Sequence, residues 1–163
     1  MKKYKIVSIL MIVCLMLGMS ACGEKDEGGK YTSKELLAKV TDGITNLPQM
    51  TTIDSDSENA KDIFTYLSDI DYESIEDYAF TYSKDGLADE VAVIQLKDEA
   101  DVSSVEKDLN DRINTRRSTF STYNEEELKK FDTATVVSKD CYVMIIITSQ
   151  AVNGKYAFNE AFK

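Results

Sequence analysis

Tyr142-Val143-Met144-Ile145-Ile146-Ile147 (YVMIII) is apolar at every position. A strand of this length without polar alternation belongs in the middle of a sheet that is covered on both faces. Just upstream, Ala134 to Val137 is separated from Cys141 to Thr148 by a turn around Lys139-Asp140, which predicts a hairpin. Downstream, Phe158, Ala161 and Phe162 predict a closing helix. Further upstream, Val102, Val105, Leu109, Ile113 and Phe120 follow at intervals of 3, 4, 4 and 7. That spacing predicts a long amphipathic helix over residues 101–121, with a short helical turn within 124–131.

The same alternation of periods runs through the first half. Tyr78, Phe80 and Tyr82 share one face of a strand, with Ala79 and Thr81 on the other, and Val91 to Leu96 (VAVIQL) is a second apolar run. Asp85-Gly86 between them marks a hairpin whose connection is longer than two residues. Thr32-Ser33-Lys34-Glu35 has capping-box spacing and opens a helix over 33–46, carried by Leu36, Leu37, Val40, Ile44 and Leu47 and stopped by Pro48. Ala60, Ile63, Phe64 and Leu67 predict a second, shorter helix after the turn-like stretch Asp54 to Ser57. The expected fold is α+β: two N-terminal helices, then two β-hairpins each followed by a helix, with a four-stranded, largely antiparallel sheet packed against the helices.

Residues 1–21 stand apart from this domain. Lys2, Lys3 and Lys5 precede the 14-residue apolar run Ile6 to Met19. As a helix that run is about 21 Å long, short of the ~30 Å of a bilayer's hydrocarbon core, so a signal segment is expected rather than a spanning one. Met19-Ser20-Ala21-Cys22 resembles the lipobox of bacterial lipoproteins, in which small residues precede a cysteine that becomes a diacylglyceryl thioether before the peptide is cut. The expected organisation is a signal peptide at 1–21, a lipidated flexible tether at 22–32 (Gly23 to Tyr31 is charged and glycine-rich) and one α+β domain at 33–163. Cys22 is the expected lipidation site. The chain would then be anchored to the extracytoplasmic face of the cell membrane.

Charge and cysteine content narrow the function classes. Loss of residues 1–21 removes three of the 19 basic residues and none of the 29 acidic ones, leaving a net charge of −13. Such a field opposes binding to nucleic acid or anionic lipid, so attachment falls to the two acyl chains of the anchor. Of the three cysteines, Cys14 leaves with the signal and Cys22 carries lipid. Cys141 is then alone, no intrachain disulfide forms, and its place at the start of an apolar strand marks it as a core residue. The chain has no histidine, which removes Ser-His-Asp and Cys-His catalysis and the commonest transition-metal ligand.

Other polar groupings are weak as sites. Asp54-Ser55-Asp56-Ser57-Glu58 alternates acids like half an EF-hand loop, but the sixth position is Asn59 and the twelfth Thr65. Asp69 to Glu73 fails in the same way, so no metal or cofactor is expected. Arg112, Arg116 and Arg117 could form an anion-binding face on the long helix, with Arg116 close to the apolar stripe between Ile113 and Phe120, but Asp108 stands four residues before Arg112 and a solvated helical ion pair is the first reading. If one polar pair is special, it is Glu90 with Arg112, a strand start and a helix position able to meet across the sheet as a buried pair. The aromatic face of Tyr78, Phe80 and Tyr82 reads first as the core side of a strand.

Asp89-Glu90-Val91-Ala92-Val93 opening a second strand, the acidic helix with Arg112, the stretch Phe120 to Tyr123 and the late strand Cys141-Tyr142-Val143 together resemble the small bacterial lipoproteins of domain of unknown function family 4358. The resemblance extends over residues 33–163 and implies fold and location but no activity. It also implies a proline after the tyrosine and a glycine before the late strand, where this chain has Asn124-Glu125 and Asp140. The expected role is non-enzymatic binding or scaffolding of an envelope protein or cell-wall partner. The alternative is a carboxylate-based enzyme or accessory factor acting on cell-wall glycan or peptide, for which two acids suffice. Capture of a small solute ranks third, because about 130 residues lack the two lobes of hinged binding proteins.

Overall fold

The structure, a computed structural model, describes residues 30–163. The expected signal peptide at 1–21, Cys22 and most of the tether lie outside the described residues. Helix α1 (Ser33–Asp42) leads to strand β1 (Met50–Asp54) and the short helix α2 (Ala60–Phe64). Hairpin β2 (Ile75–Ser83) and β3 (Glu90–Leu96) precedes the long helix α3 (Val102–Tyr123) and the single turn α4 (Leu128–Phe131). Hairpin β4 (Thr135–Lys139) and β5 (Tyr142–Ile147) then leads to α5 (Ala151–Ala161).

All five strands form one antiparallel sheet in the order β1-β2-β3-β5-β4. The apolar runs VAVIQL and YVMIII pair with each other at its centre, from Glu90 opposite Ile147 to Gln95 opposite Tyr142. Alternate side chains feed two cores, as strand geometry requires. Tyr78, Phe80, Ala92, Ile94, Val143 and Ile145 pack under α2 and α3, with Leu109, Ile113 and Phe120. Ala79, Val91, Val93, Met144 and Ile146 face α1 and α5, with Leu36, Val40 and Phe158. The sheet is therefore the middle of three layers, which explains why its central strands show no polar alternation.

Two expectations need correction. The sheet has five strands, and the fifth, β1, separates the two N-terminal helices. Met50-Thr51-Thr52-Ile53-Asp54 is a half-buried edge strand, so burial imposes little apolar pattern on it. It is held by pairing with β2, where Thr52 Oγ1 donates to Thr81 Oγ1 at 3.0 Å. Helix α1 also stops at Asp42 instead of residue 46, because the Gly43 and Ile44 amides close a tighter turn on Val40 and Thr41 and Asn46 turns left-handed (φ 67°). Ile44 stays buried from that turn, which is why the apolar spacing outruns the helix.

The N-terminus of α1 is fastened twice. Thr32 and Glu35 form the expected capping box, and the Ser33 amide donates to both carboxylate oxygens of Asp77, at 3.2 and 3.0 Å. Asp77 is brought there by a register shift in β2 between Ile75 and Asp77. At the β4–β5 turn, Asp140 takes φ 51°, the conformation glycine tolerates best. The glycine implied by the family resemblance would meet that backbone demand, and Asp140 meets it as one of the few side chains that visit this region.

Candidate functional site

A cleft of about 470 Å³ opens beside α3 at the end of the sheet where β2 ends and β3 begins. Its walls are Ile63 and Tyr66 from α2 and the turn after it, Phe80, Tyr82 and Ser83 from β2, and Lys84, Gly86 and Leu87 from the connection to β3. Glu90 forms the floor, and Arg112, Arg116 and Tyr123 of α3 close the other side. Gly86 (φ 73°) gives the connection the left-handed residue that its turn requires.

The floor is a buried ionic cluster. Glu90 opens a strand whose every residue is buried and is itself 0% exposed. Because side chains alternate along β3, it points with Ala92 and Ile94 toward α3. Arg112 meets it as a fork, Nε donating to Oε1 at 2.7 Å and Nη2 to Oε2 at 2.9 Å, while Nη1 donates to the Tyr66 carbonyl at 2.6 Å. Arg116, one helical turn on, brings its own Nε to 2.9 Å from Glu90 Oε2. That N–H is not aimed at the oxygen, so Arg116 Nε is out of water and without a hydrogen bond. Its remaining contact is a long one, Nη2 donating to the Ala88 carbonyl at 3.4 Å. The guanidiniums also lie over aromatic rings, Arg112 5.4 Å from Phe80 and Arg116 5.1 Å from Phe120.

The expected helical pair of Asp108 with Arg112 does not form. Asp108 instead accepts from Ser68 Oγ at 2.6 Å and from the Asp69 amide at 3.1 Å, fixing the turn after α2 to α3. A carboxylate deprived of water attracts a guanidinium more strongly than a solvated one four residues away, so Glu90 takes Arg112. Arg117 pairs on the surface with Asp132 at 3.1 Å.

A second charge cluster lies behind the floor. Lys130 of α4 donates to Asp89 at 2.5 Å and to Glu127 at 2.7 Å, and Glu127 accepts from the Ala88 amide at 2.6 Å. Burial works against the charge on Lys130, but its two carboxylate partners outweigh that and hold its pKa above the ordinary 10.5. Tyr78 donates its hydroxyl to the Ala60 carbonyl at 2.6 Å in the core, and burial pushes that hydroxyl well above its ordinary 10.0. Both shifts are upward, so the stability they contribute is complete below the unfolded-state values and is lost as pH rises through the folded-state ones. The unfolding free energy, measured by urea titration, is therefore expected to fall steeply above about pH 10 through these two groups.

The remaining residues singled out in the sequence fall elsewhere. Asp54 is committed to Lys34 at 2.7 Å and to Ser57 at 3.0 Å, and these bonds hold its carboxyl below the usual aspartate value. Among the described residues no group of three or more metal-ligating side chains comes together. Cys141 packs, partly buried, at the edge of the α3-side core. Tyr78 is a core residue, while Phe80, also in the core, and Tyr82, half-buried against it, line the cleft. A second, larger cleft of about 720 Å³ between α1 and α5 carries no buried charge. Among the described residues no helix is long and apolar enough to cross a membrane.

Tyr66, Lys84 and Leu87 were not singled out by the sequence, since nothing in their spacing links them. Arg116 stood out for its place beside the apolar stripe and as one of three arginines on α3 able to face an anion. No curated protein and no solved structure matches the chain. The family model for a domain of unknown function, DUF4358, matches residues 48–148, a span holding all five strands, α3 and every residue that lines the arginine cleft, and the chain belongs to that family.

Proposed function

We propose that the chain is a lipid-tethered extracytoplasmic protein that binds a component of the cell envelope, without catalysis, in the arginine cleft. The anchor rests on Lys2, Lys3, Lys5, the short apolar run and Ser20-Ala21-Cys22. One observation carries the binding half of the reading. Four large hydrophobic side chains are prominently exposed among the described residues: Val152 and Tyr156 line the second cleft, and Tyr66 (64%) and Tyr123 (61%) line the cleft that also contains the buried ionic cluster. Exposed aromatic rings beside a polar floor are the composition of a recognition site.

The carboxylate-enzyme alternative requires two acids about 5 to 9.5 Å apart facing one space. The arginine cleft is lined by a single carboxylate, Glu90, already bound by two guanidiniums, and the second cleft also has one, Glu160. Neither cleft offers a free acid and base.

A photo-crosslinking residue at Tyr66 is expected to form an adduct with an envelope component in intact cells, while the same residue at Lys139, on the opposite edge of the sheet, forms none. No adduct at Tyr66, or equal labelling at both positions, would contradict the reading.

A further inference from the structure

We infer that the arginine cleft is an oxyanion site: it takes a carboxylate or phosphate group carried on a ring-bearing body, with Arg116 and Lys84 meeting the charge and Tyr66 and Tyr123 flanking the ring. This rests on the cleft being the binding site. Three cations, Lys84, Arg112 and Arg116, line it against the single carboxylate of Glu90, in a chain whose net charge is −10. A local positive surplus within an acidic protein concentrates anions at that point.

The cations are not equivalent. Arg112 is consumed by its fork on Glu90 and by the Tyr66 carbonyl, and its side chain is 16% exposed. Once that pair is neutral, Arg116 is the surplus charge. It is more exposed, at 27%, and its terminal nitrogens make one long hydrogen bond, while its Nε is closed off from water beside Glu90. A guanidinium presents a planar fork of donors that matches two oxygens of a carboxylate or phosphate. An oxyanion in the cleft supplies acceptors to the terminal nitrogens of Arg116, whose hydrogen bond is the long one to Ala88. Lys84 is anchored by its backbone, its amide donating to the Gln49 carbonyl at 2.8 Å, and its side chain is exposed at the mouth. The volume of about 470 Å³ suits a ligand the size of one ring with substituents.

The test is calorimetric titration of the full chain in neutral detergent with phenyl phosphate, benzoate, inorganic phosphate and benzyl alcohol, with amide NMR shifts locating each probe. Phenyl phosphate or benzoate is expected to bind saturably and shift the cleft amides, and whichever binds more tightly identifies the headgroup. Inorganic phosphate is expected to bind about tenfold more weakly, for want of the ring. Arg116→Gln should weaken the ring oxyanions about tenfold or more, with Arg116→Lys recovering part of the loss. Lys84→Gln, a surface change, should weaken them about threefold and keeps the test open if Arg116→Gln does not fold. If benzyl alcohol binds in the cleft as well as benzoate does, the oxyanion assignment is overturned while the cleft remains a binding site. If no probe shifts a cleft amide, both fall.

Discussion

Glu90→Gln is expected to lower the free energy of unfolding by about 3 kcal/mol, a large share of the stability of a domain this size. The side chain is fully buried, and the substitution takes the counter-charge from Arg112 while leaving Arg116 with no anion in its reach. Removing one partner of a fully buried pair costs about 3–5 kcal/mol. The lower end applies because both arginines retain some solvent. The midpoint of thermal unfolding should drop by about 10 °C. A second variant separates pairing from packing: if Glu90→Leu and Arg112→Met are combined, the loss should fall short of the sum of the single changes by about 1–3 kcal/mol. Calorimetric melts of the four proteins check this, and strict additivity would mean that the two side chains do not stabilise each other.

The second large effect lies outside the span matched by the family model. That span ends at residue 148, yet α5 follows it and covers the face of the sheet opposite α3 together with α1. Phe158 is fully buried there, with its ring centroid 5.2 Å from that of Phe162. Above the sheet it packs into the layer of Val91, Val93, Met144 and Ile146. Phe158→Ala is expected to cost about 3–5 kcal/mol, the transfer energy of the ring plus the cavity it leaves. Urea unfolding at neutral pH measures the loss. A cost below about 1 kcal/mol would mean that α5 is an appendage and that the folding unit ends near the matched span.

Gly154 shows how close that layer lies. A Cβ built there would come 2.7 Å from Ile146 Cδ1 and 3.0 Å from Ile44 Cδ1, so the helix backbone packs directly on these side-chain ends and a larger residue would require the methyls to shift. This packing ties α5 to the two elements, β5 and the turn after α1, that bracket the chain. The family's matched span supplies the sheet and the α3-side layer, and α1 and α5 cover the other face.

Much of this architecture was readable in the sequence because burial writes itself into periodicity. YVMIII and VAVIQL are apolar throughout and occupy the centre of the sheet, and Val105, Leu109, Ile113 and Phe120 mark the buried stripe of α3. Where burial is partial the signal fades. Strand β1 carries two threonines and an aspartate on an edge, and its identity comes from pairing with β2, a long-range contact invisible in MTTID. The cleft was readable only in part, for the same reason. Glu90 and Arg112 drew notice as charges set against apolar elements, and the structure brings them to 2.7 Å. Tyr66, Lys84 and Leu87 come from a turn and a hairpin connection that share no spacing, so their convergence is a property of the fold.

Tethering through Cys22, on which the role of the cleft in the envelope depends, is tested most directly by one comparison: intact mass and membrane partitioning of the natively expressed chain beside Cys22→Ala. The expected result is a mature chain that begins at Cys22, carries the added mass of a diacylglyceryl group and sediments with membranes, with both properties lost in the variant. An unmodified mass with release into the medium would contradict the tether, and with it the proposal that the arginine cleft serves a component of the cell envelope.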